Sequence, residues 1–267
     1  MYPMPFRLRR PTSLTEAEKL FKASPDAKYL SGGMTLIPTM KLRLASPQDV
    51  IDLEKIPDLT YVRREKDALV IGARTRHVDV ADSDVVRKAI PALAHLAGHI
   101  GDPAVRNRGT IGGSVANNDP SADYPSSVLA LGATIVTTQR KIVGDDFFTG
   151  MFSTALEEAE IITAISFPVP TRAGYAKFPN PASRYAMVGV FVADFAGTVR
   201  VAVTGAGPCV FRQTAMEKAL SRQFTPDAAR AVVQSPEGLN GDIHGSAEYR
   251  AHLVSVMASR AVAAALG

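Results

Sequence analysis

Lys28-Tyr-Leu-Ser-Gly-Gly-Met-Thr35 and Gly109-Thr-Ile-Gly-Gly-Ser114 are the two stretches on which the fold of this chain turns. Each holds a glycine pair flanked by small hydroxyl residues, Ser31 and Thr35 around the first, Thr110 and Ser114 around the second. A glycine pair reaches backbone conformations closed to other residues and removes the Cβ atoms that would keep a ligand away. Consecutive backbone N–H groups can then converge on phosphate oxygens as an anion nest. The first pair lies between a predicted strand, Lys28 to Ser31, and a predicted helix, Thr35 to Leu44, which Pro38 kinks or delays. A helix start there adds partial positive charge. Two such loops suit a diphosphate gripped from both sides. Two tight turns are the plainer alternative, because glycine is the default turn residue. Neither G-x-x-x-x-G-K-[ST] nor a strand-to-helix G-x-G-x-x-G occurs, which argues against P-loop and Rossmann sites.

Outward from the first pair, Ser13-Leu-Thr-Glu16 reads as a capping box opening a helix with Leu14, Ala17, Leu20 and Phe21 on one stripe. Val50 to Leu53 reads as a strand, and Tyr61 to Arg63 with Ala68 to Ala73 as a hairpin around Glu65-Lys-Asp67. Two or three helical segments cover Val78 to Ile100. Past the second pair, a helix is expected across Pro125 to Leu131 and strands at Ala133 to Thr138 and Ile161 to Phe167. Pro168-Val-Pro170 is the best boundary candidate. Beyond it, Tyr175 to Phe178, Val188 to Phe195 and Val199 to Thr204 predict a three-stranded antiparallel unit, with Ala196-Gly197 as a turn. Helices over Arg212 to Ser221, Pro226 to Val233 and Ser246 to Leu266 finish the chain, so strands precede helices in an α+β arrangement.

The bulk numbers restrict function. With 267 residues, 46% of them hydrophobic, the chain can bury one large core or two modest ones. A net charge of +4 is dispersed and aromatics are only 7%, so the basic, aromatic-interleaved stripe of a nucleic-acid binder is missing. The mild positive charge suits an acidic partner surface or an anionic ligand. A single cysteine, Cys209, excludes an internal disulfide framework and, on this chain alone, iron–sulfur clusters; a buried, inert thiol is expected. No apolar run is long enough to span a bilayer, and the first residues do not read as a signal peptide, so a cytoplasmic location is expected.

Other constellations are weaker. His95 and His99 have the i, i+4 spacing of zinc peptidases, but position 96 is Leu rather than the required Glu, which favours helix packing over a metal. Asp119 and Asp123 resemble an acid–base pair, yet on this loop an Asx-turn residue and a ligand contact fit better. Asp145-Asp146 reads as a turn. Arg106 and Arg108 fit either surface ion pairs or an edge facing a partner.

Taken together, Lys28 to Arg43, Arg106 to Ser114 and Asn118-Asp-Pro-Ser-Ala-Asp-Tyr-Pro125 resemble the FAD loops of the medium subunits of molybdenum hydroxylases, the carbon monoxide dehydrogenase and xanthine dehydrogenase family. Gly189 within Ser183-Arg-Tyr-Ala-Met-Val-Gly189, and Asp242 to Arg250, resemble the family's C-terminal domain, so the likeness runs from about Phe6 to the end. It implies a two-part FAD domain of the vanillyl-alcohol-oxidase (PCMH) type over 1–170, with parts at about 1–55 and 56–170, and a C-terminal α+β domain over 171–267. It also implies partners: a large molybdopterin subunit and a small subunit with [2Fe–2S] clusters, in a dimer of heterotrimers. Position by position, Tyr29, Leu30, Ser31, Gly32, Gly33, Met34, Thr35 and Leu36 would wrap the FAD diphosphate. Ile100 would pack near the rings, and Thr110, Gly112, Gly113 and Ser114 would form the second phosphate loop. Asp123 would accept a hydrogen bond from FAD, the Ile162 backbone would touch the cofactor, and Lys177, or else Asn180, would reach it from the C-terminal domain. Met34 departs from the polar residue common there, and a thioether cannot donate to phosphate, so backbone N–H groups must. The turn between Thr138 and Ile142 is also shorter than usual.

No nucleophile–base pair stands out, which fits an electron relay whose redox chemistry belongs to the cofactor. Electrons would come from the partner's clusters and leave to an external acceptor. The alternatives are a self-sufficient FAD-dependent oxidoreductase of the same fold and a non-catalytic nucleotide-binding module.

Overall fold

The computed structural model describes residues 2–267. Its first sheet is built from three short parallel strands, β1 (Arg7–Arg9), β2 (Lys28–Leu30) and β3 (Asp49–Asp52), in the order β1-β3-β2. Parallel strands need crossovers, supplied by α1 (Leu14–Lys22) and α2 (Leu36–Lys41). The capping box forms: Ser13 accepts from the Glu16 N–H at 3.2 Å, and Glu16 reaches back to the Thr12 N–H at 2.8 Å. Pro38 falls in the first turn of α2, where an N–H has no helical acceptor to lose, so it neither kinks nor breaks the helix. The helix is shorter than the Thr35 to Leu44 expected.

The second sheet runs in the order β4 (Val62–Glu65), β5 (Ala68–Gly72), β10 (Ile162–Pro168), β6 (Thr134–Thr137) and β7 (Lys141–Val143). Its hairpin of β4 (Val62–Glu65) and β5 (Ala68–Gly72) leads into α3 (His77–Asp82), α4 (Asp84–Ala89) and α5 (Pro91–Gly98). Three more helices follow: α6 (Pro103–Arg108), α7 (Ile111–Asn117) and α8 (Tyr124–Ala130). Then come β6 (Thr134–Thr137), β7 (Lys141–Val143), the small hairpin β8 (Phe148–Gly150) and β9 (Ser153–Thr154), and the central strand β10 (Ile162–Pro168). The second glycine stretch, expected as a loop, is therefore mostly the first turn of α7.

The C-terminal sheet corrects the expectation of three strands. It has four: β11 (Arg172–Pro179), β12 (Ala186–Phe195), β13 (Thr198–Thr204) and the two-residue β14 (Phe211–Arg212), all antiparallel. Three helices complete the chain, α9 (Thr214–Arg222), α10 (Pro226–Arg230) and α11 (Ala247–Leu266). Alternation along β12 sends Val188, Val190 and Val192 into a core with α11, while Phe191 and Ala193 join the large core that holds α5 and α8. The sheet is thus covered on both faces, which is why β12 reads as a continuous apolar run.

The same contact brings polar groups of the third sheet onto the segment before α8. Thr204 Oγ1 donates to the carbonyls of Pro120 and Ala122, at 3.1 and 2.6 Å, and the Gly205 N–H donates to Pro120 at 2.8 Å. Cys209, expected buried, is half-buried, with its sulfur 3.6 Å from the Asn118 amide. Asp145 is paired with Arg200 at 2.7 Å.

Candidate functional site

A cavity of about 610 Å³ opens between the turn after β2 and the start of α7, within the usual range for a cofactor pocket. Tyr29 to Leu36, Ile100, Thr110, Gly112, Gly113, Ser114, Asp123 and Ile162 all line it. Lys177 does not; its side chain is buried behind Asp123, with which it pairs at 2.8 Å. Asn180 caps its own turn by accepting from the Ala182 and Ser183 N–H groups, at 2.9 and 3.1 Å. Neither candidate from the C-terminal region lines the cavity, which corrects the expectation of a direct contact; Lys177 stands one residue behind the wall, against Asp123.

The two glycine pairs meet across the cavity but are built differently. Gly33 has φ 78°, a left-handed conformation that favours glycine. A Cβ on Gly32 would stand 2.2 Å from the Arg108 carbonyl oxygen, so the end of α6 crosses directly over this turn. Among the described residues, none of the backbone N–H groups from Gly32 to Leu36 has a protein acceptor. Five adjacent donors on a cavity wall form the kind of donor array that holds an anion.

At the second pair the N–H groups are already used. Ile111 and Gly112 donate to the carbonyls of Thr75 and Ala73, at 3.0 and 2.9 Å, and Gly113 and Ser114 donate to the side chain and carbonyl of Thr110, at 3.2 and 3.0 Å. The expectation of a second nest of free N–H groups is therefore corrected. What this pair contributes is space, since a Cβ on Gly112 would lie 2.6 Å from that of Ala73. It also presents hydroxyls: Thr110 Oγ1 lies 3.0 Å from Ser31 Oγ and so ties the two stretches together.

Asp123 sits at the head of α8, 4% exposed. Its Oδ1 accepts from the Tyr175 hydroxyl and pairs with the Lys177 ammonium, which also donates to the carbonyls of His99 and Arg184, at 2.8 and 3.1 Å. Burial pushes the Asp123 carboxyl above the usual range, and Lys177 and Tyr175 pull it back. Asp119 accepts from the Ser121 N–H at 2.9 Å, an Asx turn as expected, and also lines the cavity.

Sequence reasoning missed several wall residues. His77 follows β5, is 4% exposed, and has an Nδ1 without a partner; burial, and then Arg106, push it down to about 4. Arg74 donates to the Leu53 carbonyl at 3.1 Å and is held below its ordinary value by burial. Leu156 and Glu160 come from the segment before β10, and Ser183 to Tyr185 from the turn before β12. Their one sequence signal was position, each lying just beyond a strand end. Arg106 makes no ion pair among the described residues and instead donates to the carbonyls of Ile100 and Gly101, at 3.0 and 3.2 Å. The His95 and His99 rings lie with centroids 4.1 Å apart and planes tilted by 39°. Among the described residues, no group of three or more His, Cys, Asp or Glu side chains is placed to hold a metal. Among the described residues, no helix is long and apolar enough to cross a membrane.

Residues 4–170 match the family model described as the FAD binding domain in molybdopterin dehydrogenase. The chain is 34% identical to the medium chain of carbon monoxide dehydrogenase from Hydrogenophaga pseudoflava, over 99% of its own length and 98% of the relative's. It is 36% identical to the medium subunit of nicotine 6-hydroxylase from Paenarthrobacter nicotinovorans, covering 96% and 95%. A chain of reconstituted CO dehydrogenase from Oligotropha carboxidovorans superposes with a TM-score of 0.91, at 33% identity and 99% coverage of both chains.

Proposed function

Because the chain belongs to the FAD-binding medium subunits of the molybdenum hydroxylases, we propose that it is their electron relay, taking electrons from [2Fe–2S] clusters of a small partner and passing them to an external acceptor. Substrate oxidation would take place at molybdenum on a large partner, the three kinds of chain forming a heterotrimer that pairs into a dimer of heterotrimers in the cytoplasm. The FAD domain would be of the two-part vanillyl-alcohol-oxidase type over 1–170, with 171–267 as the C-terminal domain.

The observation that carries the reading is the run of unpartnered N–H groups from Gly32 to Leu36 on the wall of a cavity of about 610 Å³. The residues present fit FAD. The N–H run would take the diphosphate, leaving Met34 no donor role for its side chain. Thr110 and Ser114 would present hydroxyls from the opposite wall, Ile100 an apolar face, Ile162 its backbone, and Asp123 an acceptor backed by Lys177. Bound FAD supplies the ability to exchange electrons one or two at a time. The protein's part is to bind, orient and tune. No residue here needs to act as a nucleophile or shuttle a proton to a substrate, which suits a relay.

The test is purification of the chain from its native host with a visible spectrum and metal analysis. FAD, molybdenum and iron with two co-purifying chains is the expected result. FAD alone, with turnover of a small molecule by this single chain, would replace the relay by the self-sufficient oxidoreductase. A colourless chain would remove both.

A further inference from the structure

Asp123 is held from one side only. Tyr175 and Lys177, two apart on β11 and so on the same face of the strand, both address Oδ1. Oδ2 has no protein partner among the described residues, on a side chain that lines the cavity. Tyr175 is 2% exposed and packs beside Phe191 with ring centroids 6.0 Å apart, a position a phenylalanine would fill equally well. Its hydroxyl, however, is accommodated at a cost in sequence. Gly189, paired with Lys177 across β11 and β12, could not carry a Cβ without placing it 2.7 Å from that hydroxyl oxygen. Three residues of the C-terminal sheet, Tyr175, Lys177 and Gly189, are thereby committed to one carboxylate on the other side of the cavity wall.

We propose that Tyr175 is a positioning residue of the cofactor site: its hydroxyl, housed by Gly189, turns the Asp123 carboxylate so that Oδ2 faces the cavity as a charged acceptor. The inference rests on the FAD reading. With Oδ1 satisfied by an O–H and an ammonium, the carboxylate cannot rotate without leaving a buried donor unpaired, which is costly. The same two donors oppose the burial that pushes its pKa up. The other groups around it are Tyr124 on α8, His99 at the end of α5, and Tyr185 and Asp119 across the cavity. Among the described residues, none of these four donates a side-chain hydrogen bond to the carboxylate, as Tyr175 and Lys177 do. Removing the hydroxyl moves the protonation of Asp123 to higher pH, and a protonated Asp123 is a poorer acceptor, so cofactor is released earlier on acidification.

The experiment is FAD release from the native complex as a function of pH, read by flavin fluorescence, for the unmodified protein and three variants. Tyr175→Phe is expected to keep FAD at pH 8 and to raise the acid-release midpoint by about one pH unit, roughly a tenfold loss of affinity between the two midpoints. Gly189→Ala is expected to give a similar shift, and the double variant no more than either alone, because no hydroxyl then remains to be displaced. Asp123→Asn is expected to abolish the step. An unmoved midpoint in Tyr175→Phe, or a step surviving in Asp123→Asn, would overturn the inference while leaving the FAD reading intact. An unmodified complex without FAD would overturn the reading itself and the inference with it.

Discussion

Two glycine pairs that look alike in the sequence do opposite things with their backbones. The first, Gly32-Gly33, sits in a turn whose N–H groups have no protein acceptor, with Gly33 in the left-handed region. The second, Gly112-Gly113, has helical backbone, and its two N–H groups are bonded to the Ala73 carbonyl and the Thr110 hydroxyl. One pair supplies donors to the cavity and the other supplies clearance around it. A glycine-rich stretch is therefore a statement about missing Cβ atoms first, and about anion binding only where the donors are left over.

Substitution separates the two roles, and Gly32→Ala has the largest expected effect. Its Cβ would meet the Arg108 carbonyl at 2.2 Å, backbone against backbone, so the turn and the end of α6 must part. A loss upward of about 3 kcal/mol is expected, together with loss of the visible flavin band in the purified protein. A variant that melts like the unmodified chain and retains FAD would break the comparison at its strongest point.

Acid should reach the second region through His77. Its N–H donates to the Gly109 carbonyl at 2.9 Å, and its ring lies 5.4 Å from that of Tyr124. The folded value of about 4 lies below the ordinary 6.5, so on acidification the unfolded chain takes up the proton first. The stabilisation is complete above pH 6.5 and is lost as pH falls towards 4, by roughly 3 kcal/mol in all. Urea melts across that range, compared with His77→Gln, should show a slope in the first protein that is flattened in the second. Equal slopes would assign the acid sensitivity elsewhere.

Gly112→Ala is expected to cost about 1–2 kcal/mol, the 2.6 Å approach to Ala73 outweighing the better helix propensity of alanine. Gly113→Ala sharpens the contrast from the other end. Its Cβ would meet the Thr110 hydroxyl at 2.9 Å but only Ser31 besides, at 3.9 Å. Stability should stay within about 0.5 kcal/mol, while FAD affinity, measured by titration of the apo-protein, falls by more than stability does. A large change in melting temperature without a change in FAD affinity would make the second pair structural alone.

Several elements could be read from local pattern because their cause is local. The capping box at Ser13 to Glu16 and the apolar run of β12 are of this kind. Others had no local signature. β1 is Arg-Leu-Arg with all three residues exposed, and it is a strand because its backbone pairs with β3 and Asp49 binds Arg7 and Arg9. β14 is two residues long and exists by pairing with β13. In the site, motif order selected most of the wall, but His77 and Arg74 lie beyond a strand end in no quoted motif.

By itself the sequence determined the family, the order of the loops and the turn at Gly32-Gly33, because glycine content, caps and periodicity act over a few residues. Tertiary structure alone decided that the Gly112 N–H is spent on Ala73, that Lys177 rather than Asn180 reaches Asp123, and that Tyr175 shares that carboxylate. Each of these is a hydrogen bond between residues tens of positions apart. Such bonds form where packing brings a donor to an acceptor out of water, and one-dimensional spacing holds no record of that distance.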